Sequence, residues 1–199
     1  MSEKLLKHNP VVTEDEVVYT SPGEWIKVKL NGEFYYTERK GADSIAFVLF
    51  ANNTDDLKRI GLVKEFKKPV NQAIISAFGG SIDHEKYHDN LFTLVQDEAL
   101  EESGFKVEFD DIEYYGKVFV SSMMNQFCHL FGITVNKFTQ GLKTTTNPEE
   151  LKSTIEWLTL PEVINLQDWK AILIVTKRMA SNNSLVKVKS SMINEQQSI

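Results

Sequence analysis

Cysteine is nearly absent from this sequence, since Cys128 is the only one among 199 residues. An internal disulfide is therefore excluded, which is typical of a reducing compartment. Basic residues are also in deficit, with 22 Lys and Arg against 28 Asp and Glu and a net charge of −6. Because nucleic acids and anionic membranes attract basic surfaces, we expect neither a general nucleic-acid partner nor a membrane partner.

Long apolar runs are missing as well. No stretch approaches the roughly 18 apolar residues of a membrane-spanning helix. The first twelve residues lack the apolar centre of a secretory signal. We therefore expect a soluble, cytoplasmic protein. Its hydrophobic fraction of 42% is sufficient for a packed core, and its length suits one domain with a small addition.

Strand patterns dominate the first half of the chain. The segment WIKVKL alternates, NGE forms a turn, and FYYTER at 34–39 returns as the second arm of a hairpin. The nearly continuous apolar run at 44–53 is typical of a strand that is buried on both faces. Further strands are predicted at 59–66, 73–78, 112–120, 127–135 and 154–160.

Two helices complete the predicted elements. One covers 90–103, where Gly104 is a suitable C-terminal stop, and Pro161 opens another that continues to about residue 180. The segment 139–153 is predicted to be a polar loop. Strands before and around two helices indicate an α+β sandwich with a mixed sheet.

The first helix carries an unusual row of acids. Leu91, Leu94 and Val95 share one stripe, and Glu98 and Glu102 continue that stripe. Glu101 lies at its edge. A surface helix normally places its acids opposite its apolar face, so these carboxylates are predicted to point inward or into a cleft.

This acidic arrangement is unfavourable unless a cation is present. The carboxylates repel one another, and they lie near the negative end of the helix dipole. Hard oxygen ligands of this kind match Mg²⁺ or Mn²⁺. A solvated acidic face is the alternative reading of the spacing alone.

The residues around these acids resemble the Nudix box, G-x5-E-x7-R-E-U-x-E-E-x-G-U, in which U is a bulky aliphatic residue. The segment DEALEESGF at 97–105 matches the box at Glu98, Glu101, Glu102 and Gly104. Gly80 matches the opening glycine if three extra residues are allowed. The segments GLVKEFKKPV and FGGSID are similar to those of the ADP-ribose pyrophosphatase subgroup, and the resemblance covers roughly 44–180.

The resemblance implies a Nudix-like α/β/α sandwich with an N-terminal β-hairpin region. It divides the chain into a dimerisation region at 1–42, a hydrolase domain at 43–181 and a polar tail at 182–199. It also implies magnesium-assisted or manganese-assisted hydrolysis of a nucleoside diphosphate derivative, such as ADP-ribose or a nucleotide sugar. The expected partners are therefore a small nucleotide-derived substrate and a second copy of the chain.

The same resemblance assigns roles to individual residues. Glu98 and Glu102 would bind the metal, Glu101 would assist as a ligand, and the Gly79 carbonyl would add a ligand. Glu101 and Glu102 would also be catalytic residues. The general base lies on the loop after the box in the resembling subgroup, where this chain has Glu149 and Glu150; Glu150 is our candidate. An ordinary solvated loop is the alternative for that pair.

Three departures from the family pattern affect these expectations. Asp97 replaces the arginine that orients a catalytic glutamate, and Ser76 stands where the subgroup usually has glutamate. The first box glutamate has no clear counterpart, so Glu85 and Asp89 are both candidates. A catalytically impaired Nudix-fold module that binds a nucleotide or a protein is therefore the alternative function.

Other motifs have plainer interpretations. The segment HEKYH at 84–88 matches a zinc-protease pattern, but it lacks a third ligand at a recognisable spacing, and a chance match is favoured. Cys128 is expected to be a small buried residue and His129 to have a structural role. Trp25, Tyr35 and Tyr36 would stack on a base, line a dimer interface or, in the plainest reading, pack within the hairpin.

Overall fold

The computed structural model describes residues 15–41, 43–52, 59–82, 86 and 90–181. Nine strands in these ranges form one sheet. They are β1 (Glu16–Thr20), β2 (Ile26–Asn31), β3 (Phe34–Arg39), β4 (Ser44–Ala51), β5 (Ile60–Lys67), β6 (Gln72–Ser76), β7 (Ile112–Ser121), β8 (Met124–Val135) and β9 (Thr154–Leu158). The described helices are α1 (Leu91–Glu98), α2 (Pro148–Lys152), α3 (Leu160–Ile164) and α4 (169–181).

The sheet is mixed. Seven strands follow the order β1-β2-β3-β8-β4-β5-β6. Of the other two strands, β7 pairs with β8 and β9 pairs with β5. The central pair, β4 and β8, is parallel from the Ser44–Cys128 pair to the Ala51–Val135 pair. β5 is antiparallel to β4, β6 and β9. The N-terminal hairpin joins the rest of the sheet through the pairing of Thr37 with Met124.

The central strand β4 is buried on both faces, as its apolar run predicts. Ile45, Phe47 and Leu49 pack on one face against α1. Their neighbours in the strand point the other way, into a second core that contains Val163 of α3 and Ile174 of α4. Because successive side chains of a strand alternate between faces, this strand holds helices on both sides of the sheet.

Helix α1 ends in a widened turn. Asn90 caps its start by accepting a hydrogen bond from the Thr93 amide at 3.3 Å. The chain then continues as a π turn (Ala99–Ser103), and Gly104 ends it in the left-handed region at φ 76°. Single π turns within α-helices occur frequently at functional sites. This turn carries Glu101 and Glu102.

The predicted fold class is confirmed. The protein is an α+β sandwich of Nudix-like form, with a mixed sheet between helices on both sides. None of the helices in the described ranges is long and apolar enough to span a membrane. The division of the chain at residues 42 and 181 stays a prediction.

Two predicted elements need correction. The helix predicted from Pro161 to about residue 180 is two helices, α3 and α4. Asp168 caps the second one by accepting hydrogen bonds from the amides of Lys170 at 2.8 Å and Ala171 at 3.0 Å. The loop predicted at 139–153 contains the short helix α2, and strand β1 was not predicted.

Candidate active site

Two glycines bring the chain after β6 against the acidic helix. A Cβ atom at Gly80 would lie 2.0 Å from Oε1 of Glu98, so the carboxylate occupies the space that any side chain would need. The backbone N–H of Gly79 donates a hydrogen bond to the Glu102 carboxylate. A Cβ atom at Gly79 would lie 2.5 Å from the Ile45 carbonyl oxygen of β4. The Gly79–Gly80 strip therefore allows a close approach that other residues would prevent.

The two carboxylates at this strip are destabilised as anions. Burial raises the pKa of Glu98 to about 7, and the charge of Glu101 adds to the effect. The pKa of Glu102 is raised to about 8, first by burial and then by the charge of Glu98. The charge of Glu150 raises the pKa of both groups further. The ionised forms of both groups are thus disfavoured unless a positive charge compensates them.

Glu102 and Glu150 face a common cavity of about 530 Å³. The cavity lies between the strands and the start of α4. Gly79 and Gly80 form part of its wall beside Glu102. Glu150 therefore lies near the acidic helix, although 48 positions separate it from Glu102 in the sequence.

The side chain of Glu150 is held in place by its own loop. Thr145 Oγ1 donates a hydrogen bond to Glu150 Oε2, and Asn147 Nδ2 donates one to Oε1 at 2.6 Å. Asn147 also caps α2 by accepting from the Glu149 amide. The position of the Glu150 carboxylate within the cavity is thus set by hydrogen bonds from residues of its own turn.

Lys143 fixes the same loop from inside. Its Nζ donates hydrogen bonds to the Glu150 carbonyl at 2.9 Å, the Ser153 carbonyl at 2.7 Å and the Ser153 hydroxyl at 2.7 Å. A lysine ammonium has three donors, and here each has an acceptor. Burial lowers the pKa of Lys143, while the charge of Glu102 opposes that change.

The loop is also attached to the end of the acidic helix. The amide of Gly141 donates to the Gly104 carbonyl at 2.8 Å, and Gln140 Nε2 donates to the Ser103 carbonyl at 3.0 Å. A Cβ atom at Gly104 would lie 2.4 Å from the Gly141 carbonyl oxygen. The helix carrying Glu102 and the loop carrying Glu150 are therefore in direct backbone contact.

The remaining box positions take different places. Glu101 is half-buried and near enough to Glu98 to raise its pKa. Asp97, which replaces the box arginine, pairs with Lys86 at 3.6 Å. Glu149, the other candidate base, is paired with Lys68 at 2.5 Å and is exposed. Glu85 and Asp89, and both histidines of the HEKYH segment, lie outside the described residues.

Other residues named from the sequence have structural partners. Ser76 is buried and borders the cavity. Cys128 is also buried, as expected, and burial raises the pKa of its thiol. His129 Nδ1 lies 3.0 Å from the Tyr114 hydroxyl, and its Nε2 lies 3.9 Å from Asp43. Trp25 and Tyr35 are 63% and 53% exposed, whereas Tyr36 is half-buried and donates a hydrogen bond to Asp15 Oδ2. Which of the three readings applies to these aromatic residues stays a prediction.

Sequence reasoning missed several cavity residues. Glu65 adds a further negative charge near Glu102 and raises its pKa. Basic groups also line the wall, at Arg39, Lys67 and Lys170, and Lys67 forms an ion pair with Glu65. Glu65 lies in β5 just after its buried first half, and it could have been recognised from the sequence as a polar residue near the end of a buried strand. The others carry no signal in the sequence.

The donor set of this site fits a hard divalent cation. Carboxylate and backbone carbonyl oxygens are the ligands that Mg²⁺ prefers. Burial and the neighbouring carboxylates disfavour the anionic forms of Glu98 and Glu102 and raise their pKa values, and a bound cation would offset both effects. Among the described residues, no three acidic, histidine or cysteine side chains already form a complete ligand set. Mutual repulsion of carboxylates disfavours such convergence without a cation.

Comparison with known proteins identifies the fold. No family model and no curated protein matches the sequence. Among solved structures, the chain is similar to one described as the crystal structure of an ADP compounds hydrolase, with 15% sequence identity and a TM-score of 0.62. The alignment covers 90% of this chain and 96% of that chain. A similarity at this level of identity concerns the fold alone.

Proposed function

We propose that this chain hydrolyses the diphosphate bond of a nucleoside diphosphate joined to a second group, such as ADP-ribose or a nucleotide sugar. In this proposal, Mg²⁺ or Mn²⁺ is held by Glu98, Glu101, Glu102 and the Gly79 carbonyl. Glu150 is the general base, and Glu101 and Glu102 act as catalytic residues. The reaction requires an anionic substrate and a water molecule between the acidic helix and the Glu150 loop.

One observation carries the proposal. Two half-buried carboxylates, Glu98 and Glu102, contact the Gly79–Gly80 strip, and Glu102 lines the same cavity as Glu150. Burying ionisable acids together is costly unless charge is compensated. The carboxylates of a solvated acidic face would be exposed, whereas Glu98, Glu101 and Glu102 are all half-buried, so the arrangement favours the cation site over that alternative.

Each group has a chemical part in the proposed reaction. The bound ion would neutralise the diphosphate and lower the pKa of the attacking water. Glu150, oriented by Thr145 and Asn147, would accept the proton of that water. Arg39, Lys67 and Lys170 would attract the anionic substrate to the cavity.

The similarity to the structure described as an ADP compounds hydrolase supports this class of reaction by analogy of fold. The rival is a catalytically impaired module that binds a nucleotide or a protein. It is favoured by Asp97, which pairs with Lys86 where the resembling family has an arginine. The two functions differ in whether nucleoside monophosphate is released.

A substrate panel tests the proposal. The wild type is incubated with nucleoside diphosphate derivatives and millimolar Mg²⁺ or Mn²⁺, and release of nucleoside monophosphate is measured. We expect metal-dependent release from at least one compound, with a loss of about a hundredfold or more in Glu102→Gln. The exposed Glu33→Gln is the matched control and should retain activity. A folded wild type that binds these compounds and releases no product would support the rival.

A further inference from the structure

The cavity extends past the acidic helix to a part that the proposed chemistry does not use. Its wall there is formed by Ser44, Val120, Gln126, Cys128 and Trp169. These residues come from β4, β7, β8 and the start of α4. Their side chains are uncharged, but Asp168 and Lys170, on either side of Trp169, also line the cavity and lie near enough to affect the pKa of Cys128.

Gln126 is the unexplained group in this part. It is 4% exposed, and no hydrogen bond joins its side-chain amide to any group in the portion of the chain that the structure describes. Within the same portion, every side-chain nitrogen or oxygen that is fully shut off from solvent has a hydrogen-bond partner. The amide of Gln126 therefore opens onto the cavity. Since this amide has donors and an acceptor that no described protein group uses, it is available to a polar ligand.

Sheet pairing gives the position of Gln126 relative to the acidic end. Ser81 pairs with Ser44, and Ser44 pairs with Cys128. Two strand spacings, roughly 10 Å in total, thus separate Ser81 from Cys128. Gln126 lies two residues before Cys128 on the same face of β8. The amide is therefore beyond the place of the diphosphate, within reach of a group attached to it.

Trp169 adds a flat apolar surface to the same part of the cavity. It is 41% exposed although it stands at the start of α4, beside the cap residue Asp168. A tryptophan ring offers a large, rigid apolar face, and the C–H face of a sugar ring can pack against it. A primary amide both donates and accepts hydrogen bonds, as the Ser44 hydroxyl does. The combination matches a ring that carries several hydroxyl groups.

We propose that Gln126, Ser44 and Trp169 form a subsite for the sugar ring that the diphosphate carries as its second group. This proposal rests on the proposed function, because that function supplies the position of the diphosphate. Gln126 binds the sugar hydroxyls and Trp169 covers one face of the ring. Gln126 is therefore a specificity-determining residue.

The test compares two substrates that differ in the sugar alone. ADP-ribose carries the sugar, and the methyl ester of ADP keeps the nucleoside and the diphosphate without it. We expect the wild type to prefer ADP-ribose in kcat/KM. Gln126→Met, which keeps the length of the side chain, should lower that preference about tenfold. Gln72→Met, an exposed glutamine at the start of β6, is the control and should leave the preference unchanged.

The outcomes separate the subsite from the proposed function. An equal fall for both substrates would place the amide on the nucleoside side and overturn the proposal. Because Gln126→Met changes a buried position, Trp169→Ala at the exposed rim provides a second variant with the same expected loss of preference. If the wild type hydrolyses neither compound, the proposed function fails. The subsite is then tested by the dissociation constants of the two intact compounds. Gln126→Met and Trp169→Ala should each lower the preference for binding ADP-ribose over the methyl ester of ADP by the same factor of about ten.

Discussion

Glu98 and Glu102 show how burial sets the charge state of single residues. An acid whose pKa rises on folding binds its proton more tightly in the folded protein than in the unfolded chain. The contribution of this tighter proton binding to the free energy of unfolding is fully present below pH 4.5, the ordinary pKa of a glutamate. It is lost as the pH rises through the shifted pKa, which is about 7 for Glu98 and about 8 for Glu102. The metal-free fold should therefore weaken between those limits.

This sign leads to a prediction for Glu102→Gln. The variant removes the group with the larger shift, so it should be more stable than the metal-free wild type at about pH 9 and should lose that advantage at about pH 5. Denaturant unfolding at several pH values measures the difference. Millimolar Mg²⁺ should stabilise the wild type and have less effect on the variant. A pH-independent difference between the two proteins would contradict the assigned shift.

Lys143 is predicted to position the general base. Lys143→Met removes three hydrogen bonds that hold the loop of Glu150. The free energy of unfolding should fall by about 1–3 kcal/mol. The kcat should fall on the order of tenfold to a hundredfold, because misplacement of a catalytic group by about 1 Å is costly. Steady-state kinetics on the active substrate checks this prediction.

The exposed Lys152 offers a control in the same loop region, since it lies at the end of α2. Lys152→Met should change neither the stability nor kcat appreciably. If Lys143→Met retained the wild-type kcat while losing stability, Lys143 would have a structural role alone.

Single residues of the site could be predicted from the sequence only where their spacing matched a helix or a strand. Glu98 and Glu102 were recognisable because they continue an apolar stripe on a helix, and the stripe is indeed buried at Leu94 and Val95. Gln126 and Lys143 were not recognisable. Their importance depends on which strands and loops lie opposite them, and this information is tertiary.

Among the elements, the junction of the π turn with the following loop is the most constrained. Gly104 has φ 76°, and its missing Cβ leaves room for the Gly141 carbonyl. Gly104→Ala should cost about 1–2 kcal/mol for the left-handed backbone and more for the contact at 2.4 Å. It should also lower kcat, because the displaced loop carries Glu150.

Gly32 provides the matched control for Gly104. It has φ 61°, and a Cβ atom there would meet nothing within 4 Å. Gly32→Ala should therefore show the backbone cost without the loss in kcat. Equal melting temperatures for the two variants would contradict the prediction that the contact between the helix end and the loop contributes to stability.

Elements were predicted from sequence where burial produced a pattern. Strand β4, with an apolar run, and the hairpin of β2 and β3, with its turn, were both found. Strand β1 was missed because all five of its residues are exposed and give no alternation of burial. The break between α3 and α4 was missed because the apolar spacing continues across it, whereas the cap at Asp168 starts a new helix.

At the scale of the whole molecule, the N-terminal strands leave an apolar face uncovered. Residues directly opposite each other in antiparallel strands share a face. Tyr19 pairs with Val28, and Leu30 pairs with Tyr35. Ile26 lies on the same face of β2, and Tyr35 is among the exposed residues. Contiguous exposed apolar side chains are typical of interaction sites.

We predict that this face mediates a homodimer. Tyr35→Lys should weaken the dimer because it introduces a charge into the apolar face, and sedimentation at micromolar concentration measures the shift toward monomer. Phe34→Lys is a matched control, since Phe34 is exposed to a similar extent but lies on the opposite face of β3. A wild type that sediments as a monomer would contradict the prediction.

The parallel pairing of β4 with β8 also has a consequence for folding kinetics. Phe127 donates a hydrogen bond to Asp43 across 84 positions of the chain, and the central pairs of the sheet span a similar separation. The entropy of closing such long loops is lost before the strands gain their contacts. Folding should therefore be slow for a chain of this size, on the order of milliseconds to seconds. The candidate active site contains residues from 79 to 150, so it should form only after that closure.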